Sequence, residues 1–188
     1  MSNYRIIGID PGSQITGFCI LEKPSKNNRN IKEMRIIDAG VLRTKAGISS
    51  YEKTGYLHKS VLSLIEKYKP DTMVIEKAFT GVNPQSALRL GETRGSYISA
   101  AFMHNLKIRE LTPTHVKKAI TGHGHADKDQ VANAVKYLMG FEKEKLPYDV
   151  TDAIAIALSY SLLGDDTEIS KTKVKKTSWT SKLKHIRS

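Results

Sequence analysis

The stretch YRIIGIDPGSQITGFCILEK, residues 4–23, decides how this chain folds. Tyr4–Asp10 is a short apolar run that stops at a turn signal, Pro11-Gly12-Ser13. Ile15–Lys23 is a second β-prone run behind that turn. A polar turn, PSKNNRN (24–30), leads into a third strand within residues 31–44, where Ile37, Ala39 and Val41 alternate. Links this short join antiparallel neighbours, so the opening predicts a three-stranded meander.

Beyond residue 45 the hydrophobic period changes. Leu57, Val61, Leu64, Ile65 and Tyr68 recur at helical spacing, and Pro70 stops that helix. TMVIE (Thr72–Glu76) has the look of a short buried strand, residues 84–105 of a long helix, and residues 106–111 of another strand. Pro113 stands where a helix begins, and residues 126–139 and 150–163 predict two more. The expected fold is α/β: a mixed sheet, three antiparallel strands followed by parallel ones, flanked by helices. Gly91 and Gly95 inside the long helix cost about 1 kcal/mol each against Ala. They predict either close packing against a neighbour or a helix broken in two.

The charge is uneven. The 188 residues carry 30 Lys and Arg against 19 Asp and Glu, a formal +11. Seven of the cations (Lys171, Lys173, Lys175, Lys176, Lys182, Lys184 and Arg187) fall in the last 18 residues, with no acid among them. A globular domain over 1–164 and a basic, flexible tail over 165–188 are the expected organisation. Charge alone leaves that tail as an electrostatic arm for nucleic acid or a solubilising end. A single cysteine, Cys19, excludes an internal disulfide framework and suits a reducing compartment, the cytoplasm. No apolar run reaches the roughly 18 residues a membrane span needs, and Asp10 interrupts the N-terminal apolar stretch too early for a secretory signal.

Four acids draw attention by position. Asp10 and Glu76 each close an apolar strand, where ligands of open α/β sheets bind. Asp149 and Asp152, at i and i+3, precede the very apolar AIAIALSYSLL. Each has an ordinary reading: a turn former, a strand terminus, an N-cap with a capping-box acid. Read together, four carboxylates in one pocket repel one another unless cations neutralise them. Hard oxygen donors suit Mg²⁺ or Mn²⁺, and two such ions can flank a phosphate during hydrolysis.

The segments GIDPGSQITGF (8–18), MVIEKAF (73–79), ALRLGETRG (87–95) and DVTDAIAIAL (149–158), in this order and spacing, resemble the RuvC family of bacterial Holliday junction resolvases. The resemblance runs from about Tyr4 to Leu163 and leaves out the lysine-rich tail. It implies an RNase H-like fold, a homodimer, and Mg²⁺-dependent cleavage in DNA recombination and repair, with two ions at Asp10, Glu76, Asp149 and Asp152. It implies symmetric paired nicks in a four-way junction, with the branch-migration proteins RuvA and RuvB as partners. Phe79 matches the family's base-stacking aromatic. Lys117 and Lys128 match basic residues near the cleaved phosphate, with Lys118 the neighbouring alternative to Lys117.

The residues themselves fit this at several points. An aromatic in a polar loop beside a nuclease site serves as a stacking platform for unpaired bases. Lys117 and Lys128 bracket a loop of Gly122, His123, Gly124 and His125, whose imidazoles are loop polar groups or phosphate contacts. Ser13 and Thr16 have no adjacent base to make either a nucleophile, and read as turn formers. Three other readings compete. An actin-like or sugar-kinase ATPase also opens on a strand, an Asp and glycines, but needs two such domains. A non-catalytic nucleic-acid-binding module has no use for four acids, which repel phosphate. A related RNase H-like nuclease acting on other substrates is the nearest competitor.

Overall fold

The structure, a computed structural model, describes residues 3–77, 83–141 and 143–167. Five strands form one sheet in the order β3-β2-β1-β4-β5: β1 (Tyr4–Asp10), β2 (Ile15–Lys23), β3 (Arg35–Arg43), β4 (Thr72–Glu76) and β5 (Lys107–Leu111). β1, β2 and β3 pair antiparallel, whereas β4 lies parallel to β1 and β5 parallel to β4. The expected mixed sheet is therefore present. Parallel pairing of β1 with β4 matters most, because it brings both C-terminal ends to the same edge.

Helices cover both faces. α1 (Ser50–Tyr68) and α2 (Pro84–Met103) lie on one side, over Ile7, Ile9, Ile20, Met73 and Ile75. α3 (Pro113–Thr121), α4 (Lys128–Met139) and α5 (Tyr148–Leu163) lie on the other, over Ile6, Cys19, Leu21 and Val74. Strand alternation produces this division, and sheet strands covered on both faces read as continuous apolar runs. α1 begins at Ser49 with a capping box to Glu52 and ends on Lys69 in the left-handed conformation, φ 47°. α5 is packed between the sheet and the α3–α4 layer. That position explains its apolar residues on every side.

Three local expectations need correction. In β3, Leu21 pairs with Ile36 and Ile20 with Asp38, so Ile37 is an extra residue in a bulge. Ile36, Ala39 and Val41 therefore share the packed face and Ile37 points outward. Gly91 and Gly95 neither break α2, which is continuous, nor meet a neighbour: a Cβ at either would find nothing within 4 Å. Finally, α5 starts at Tyr148 after Pro147, with no side-chain cap. Asp149 lies in its first turn, so neither Asp149 nor Asp152 serves as a helix cap. Among the described residues no helix is long and apolar enough to cross a membrane.

α5 comes unusually close to the sheet. A Cβ added at Gly17 would lie 1.9 Å from the Asp149 carbonyl oxygen, and one at Gly8 would lie 2.6 Å from the Ala153 carbonyl oxygen. Gly17 pairs directly with Asp10 across β1–β2. Gly17→Ala should force α5 outward and cost about 1–3 kcal/mol, lowering the melting temperature by roughly 2–4 °C per kcal/mol. Gly55→Ala, in α1 with nothing within 4 Å, should leave stability unchanged or raise it by up to about 1 kcal/mol. Thermal melts of both variants check this contrast.

Candidate active site

The acids converge because of parity and register. On β1, Ile6, Gly8 and Asp10 face α5. On β4, Thr72, Val74 and Glu76 do the same, with Gly8 beside Val74 and Ile9 beside Ile75. One step further along these parallel strands puts Asp10 and Glu76 side by side at the sheet edge. Asp152, one turn into α5, faces them. The three line one cavity of about 290 Å³ with Lys117, Lys128 and the apolar floor of Val116, Val131 and Ile156. Asp149 lies outside that lining, yet its charge acts on both Asp10 and Asp152.

Burial and mutual repulsion raise the carboxyl pKa values. Asp10 is pushed up to about 7, first by burial and then by the charges of Glu76, Asp152 and Asp149, with Lys128 opposing. Glu76 is raised by burial and by Asp152, against Lys128 and Lys117. Asp152 is raised by burial and by Asp149, against the same two lysines. Hence the site carries more negative charge than its two cations offset. Among the described residues, no three His, Cys, Asp or Glu side chains close in tightly enough to form a ready-made ligand cluster. The acids instead ring an open cavity.

Lys117 projects from α3, and Lys128 is the first residue of α4, after the Asp127 cap. Lys118 is exposed and does not line the cavity, so helix geometry distinguishes the two neighbours. His123 lines a separate groove between α3 and α4. Phe79 and the tail cations lie outside the described residues.

Support from α2 was not legible in the sequence. Arg94 Nε donates to the main-chain oxygen of Glu76 at 3.2 Å and its guanidinium pairs with Glu110. One turn on, the buried Tyr97 hydroxyl meets Thr16 Oγ1 at 2.8 Å, and Thr16 donates to the Gly12 carbonyl at 3.2 Å. From the opposite face Arg94 thus braces the end of β4, and Tyr97 braces the β1–β2 turn that follows Asp10. Thr16, expected as a turn former, is one.

A carboxyl whose folded-state pKa is raised binds more protons folded than unfolded. Its contribution to stability is present in acid and lost as pH rises through about 7. In chelator-containing buffer, Asp10→Asn should therefore raise the melting temperature at pH 8, by about 2–4 °C per kcal/mol of charge burial and repulsion relieved. The gain should shrink towards pH 5. Melts of wild type and variant across that range check it; an equal gain at both pH values would exclude the repulsion.

The family model for crossover junction endodeoxyribonuclease RuvC matches residues 6–160. The RuvC of Caldicellulosiruptor saccharolyticus is 38% identical over 158 residues, covering 84% of this chain and 92% of the relative. That of Thermosipho melanesiensis is 39% identical over 153 residues, covering 81% and 94%. Among solved structures, T. thermophilus RuvC in complex with Holliday junction substrate superposes with a TM-score of 0.75 at 28% identity, covering 85% of this chain and 93% of that one. The mixed sheet and its flanking helices are RNase H-like, and the chain belongs to the RuvC family of Holliday junction resolvases, the crossover junction endodeoxyribonucleases.

Proposed function

We propose that the chain cuts four-way DNA junctions with paired, symmetric nicks at the cavity of Asp10, Glu76 and Asp152, with Asp149 completing the acid set. The observation that carries this reading is the convergence of those acids, from β1, β4 and α5, beside Lys117 and Lys128. Carboxylates that raise one another's pKa suit divalent cations, and all-oxygen donors suit Mg²⁺, with Mn²⁺ able to substitute. Two ions per site fit four acids. When bound, such ions lower the pKa of a nucleophilic water and offset charge on the leaving oxygen.

The chain's own groups do the positioning. Lys117 and Lys128 draw a phosphodiester against the acids, which would otherwise repel it. Val116, Val131 and Ile156 give that pocket a dry floor. Arg94 and Tyr97 hold the end of β4 and the β1–β2 turn in place. Phe79, in the segment between β4 and α2, stacks on a base near the junction centre. Asp165 bonds to Lys26, Arg109 and Tyr160, so the basic arm begins beyond it. That arm adds phosphate contacts without sequence information. RuvA and RuvB supply branch migration.

Two symmetric cuts need two sites, which a homodimer provides. Leu88, Gly91, Gly95, Ser99 and Phe102 form one outward stripe along α2, with Leu88 64% and Phe102 73% exposed. With nothing within 4 Å of either glycine, a second α2 can approach closely there. Gly95→Arg should convert dimer to monomer in sedimentation equilibrium while preserving or raising the melting temperature, because an exposed helical glycine costs about 1 kcal/mol. An unchanged mass would place the dimer contact elsewhere.

The acids give the direct test. Asp10→Asn, Glu76→Gln and Asp152→Asn should each reduce Mg²⁺-dependent cleavage of a labelled junction by at least 100-fold, roughly the loss of about 2.7 kcal/mol of transition-state stabilisation. Junction affinity should hold or rise, because less negative charge then faces phosphate. Matched duplex and RNA–DNA hybrid substrates should remain uncut. Cutting of the hybrid in preference to the junction would favour the broader RNase H-like nuclease reading.

A further inference from the structure

A second cavity opens at the same sheet edge on the opposite face. It holds about 220 Å³ between α1, α2 and the β1–β2 turn, with Ser13, Gln14, Ser50, Lys53, Thr54 and Arg89 among its lining. Ser13 and Gln14 follow Asp10 by three and four residues, so the two cavities flank one turn. Lys53 is half-buried and Arg89 is exposed. No hydrogen bond or ion pair joins either side chain to another described residue, and no carboxylate lines the cleft. Two hydroxyls of the lining lie together: Thr54 Oγ1 is 3.3 Å from Thr93 Oγ1, and Thr93 donates to the main-chain carbonyl of Arg89 at 3.1 Å.

Two cations from different helices thus face a cleft of hydroxyl and amide groups whose lining includes no carboxylate. The lining suits a compact oxyanion. Guanidinium, ammonium and hydroxyl donors match phosphate oxygens, while Ile48 is its single apolar member and offers little to a nucleobase. We infer that this cleft binds a backbone phosphate of the DNA strand at a position away from the one being cut, so that the β1–β2 turn is gripped between two phosphates. The inference rests on the junction-nuclease reading and adds a substrate contact to it. Lys53 and Arg89 are binding residues, with no part in the chemical step.

The test uses the full chain and a four-way junction in which each phosphate near the cut is replaced in turn by an uncharged methylphosphonate. In wild type, at least one replacement away from the cut should weaken binding by roughly 5- to 20-fold at low salt. In the K53Q/R89Q double variant that position should fall silent. The slope of log K against log salt should flatten by about 0.9 for each phosphate that the variant no longer neutralises. The K59Q/K143Q control, with the same change in net charge at exposed positions, should silence nothing.

If the double variant silences no position, or matches the control, the cleft assignment fails while the junction reading stands. If wild type neither cuts the junction nor responds to any replacement, the junction reading itself fails. Inorganic phosphate separates a second source of the same chemistry. A phosphate-dependent melting shift that the double variant abolishes, without a silenced backbone position, would assign the cleft to a free anion and overturn the DNA contact.

Discussion

The close approach of α5 to the β1–β2 ribbon is the constraint on which the rest of the structure depends. Gly8 and Gly17 remove the side chains that would keep a helix at ordinary distance from a sheet, and the α5 backbone fills that space at Asp149 and Ala153. This packing sets the height of Asp152 over Asp10. It also fixes how deeply α3 and α4 pack outside α5, and hence where Lys117 and Lys128 enter. Protein interiors are close-packed and do not absorb such a shift softly. A methyl group at Gly17 therefore acts on the core and on the acid cavity together.

The same packing creates an electrostatic cost. Acids that are half-buried and within each other's fields resist ionisation, which is why Asp10, Glu76 and Asp152 are all raised. A fold stabilised elsewhere by a two-sided apolar core can hold them there. Ile6, Cys19, Leu21 and Val74 pack on one face and Ile7, Ile9, Ile20 and Ile75 on the other. At the acid cavity this packing gives way to charge. Strain of this kind is expected where function requires a group to be held against its preference.

α2 has a further part in that arrangement. Its inner side carries Arg94 and Tyr97, which brace the end of β4 and the start of β2 through main-chain and hydroxyl contacts. Its outer side carries the small-residue stripe proposed for the second copy. Arg89, five residues before Arg94, lines the second cleft. One helix thus braces the end of β4 and lines the second cleft.

Much of this was determined by the sequence alone. Strand and helix periods specified the order of elements, the antiparallel meander and the parallel strands, because side-chain alternation is a local property. Apolar runs ending in an acid marked Asp10 and Glu76, and motif order identified the family. Other features depended on contacts between segments distant in the chain. The bulge at Ile37 follows from pairing with β2, and local alternation could not reveal it. Helical pitch and packing chose Lys117 over Lys118 for the cavity. Asp149 and Asp152 resembled a helix cap, but Pro147 takes that place, and Asp152 lines the acid cavity. Arg94, Tyr97, Lys53 and Arg89 have no telling local pattern: their partners lie elsewhere in sequence, and only the sheet and its two helical layers bring them together.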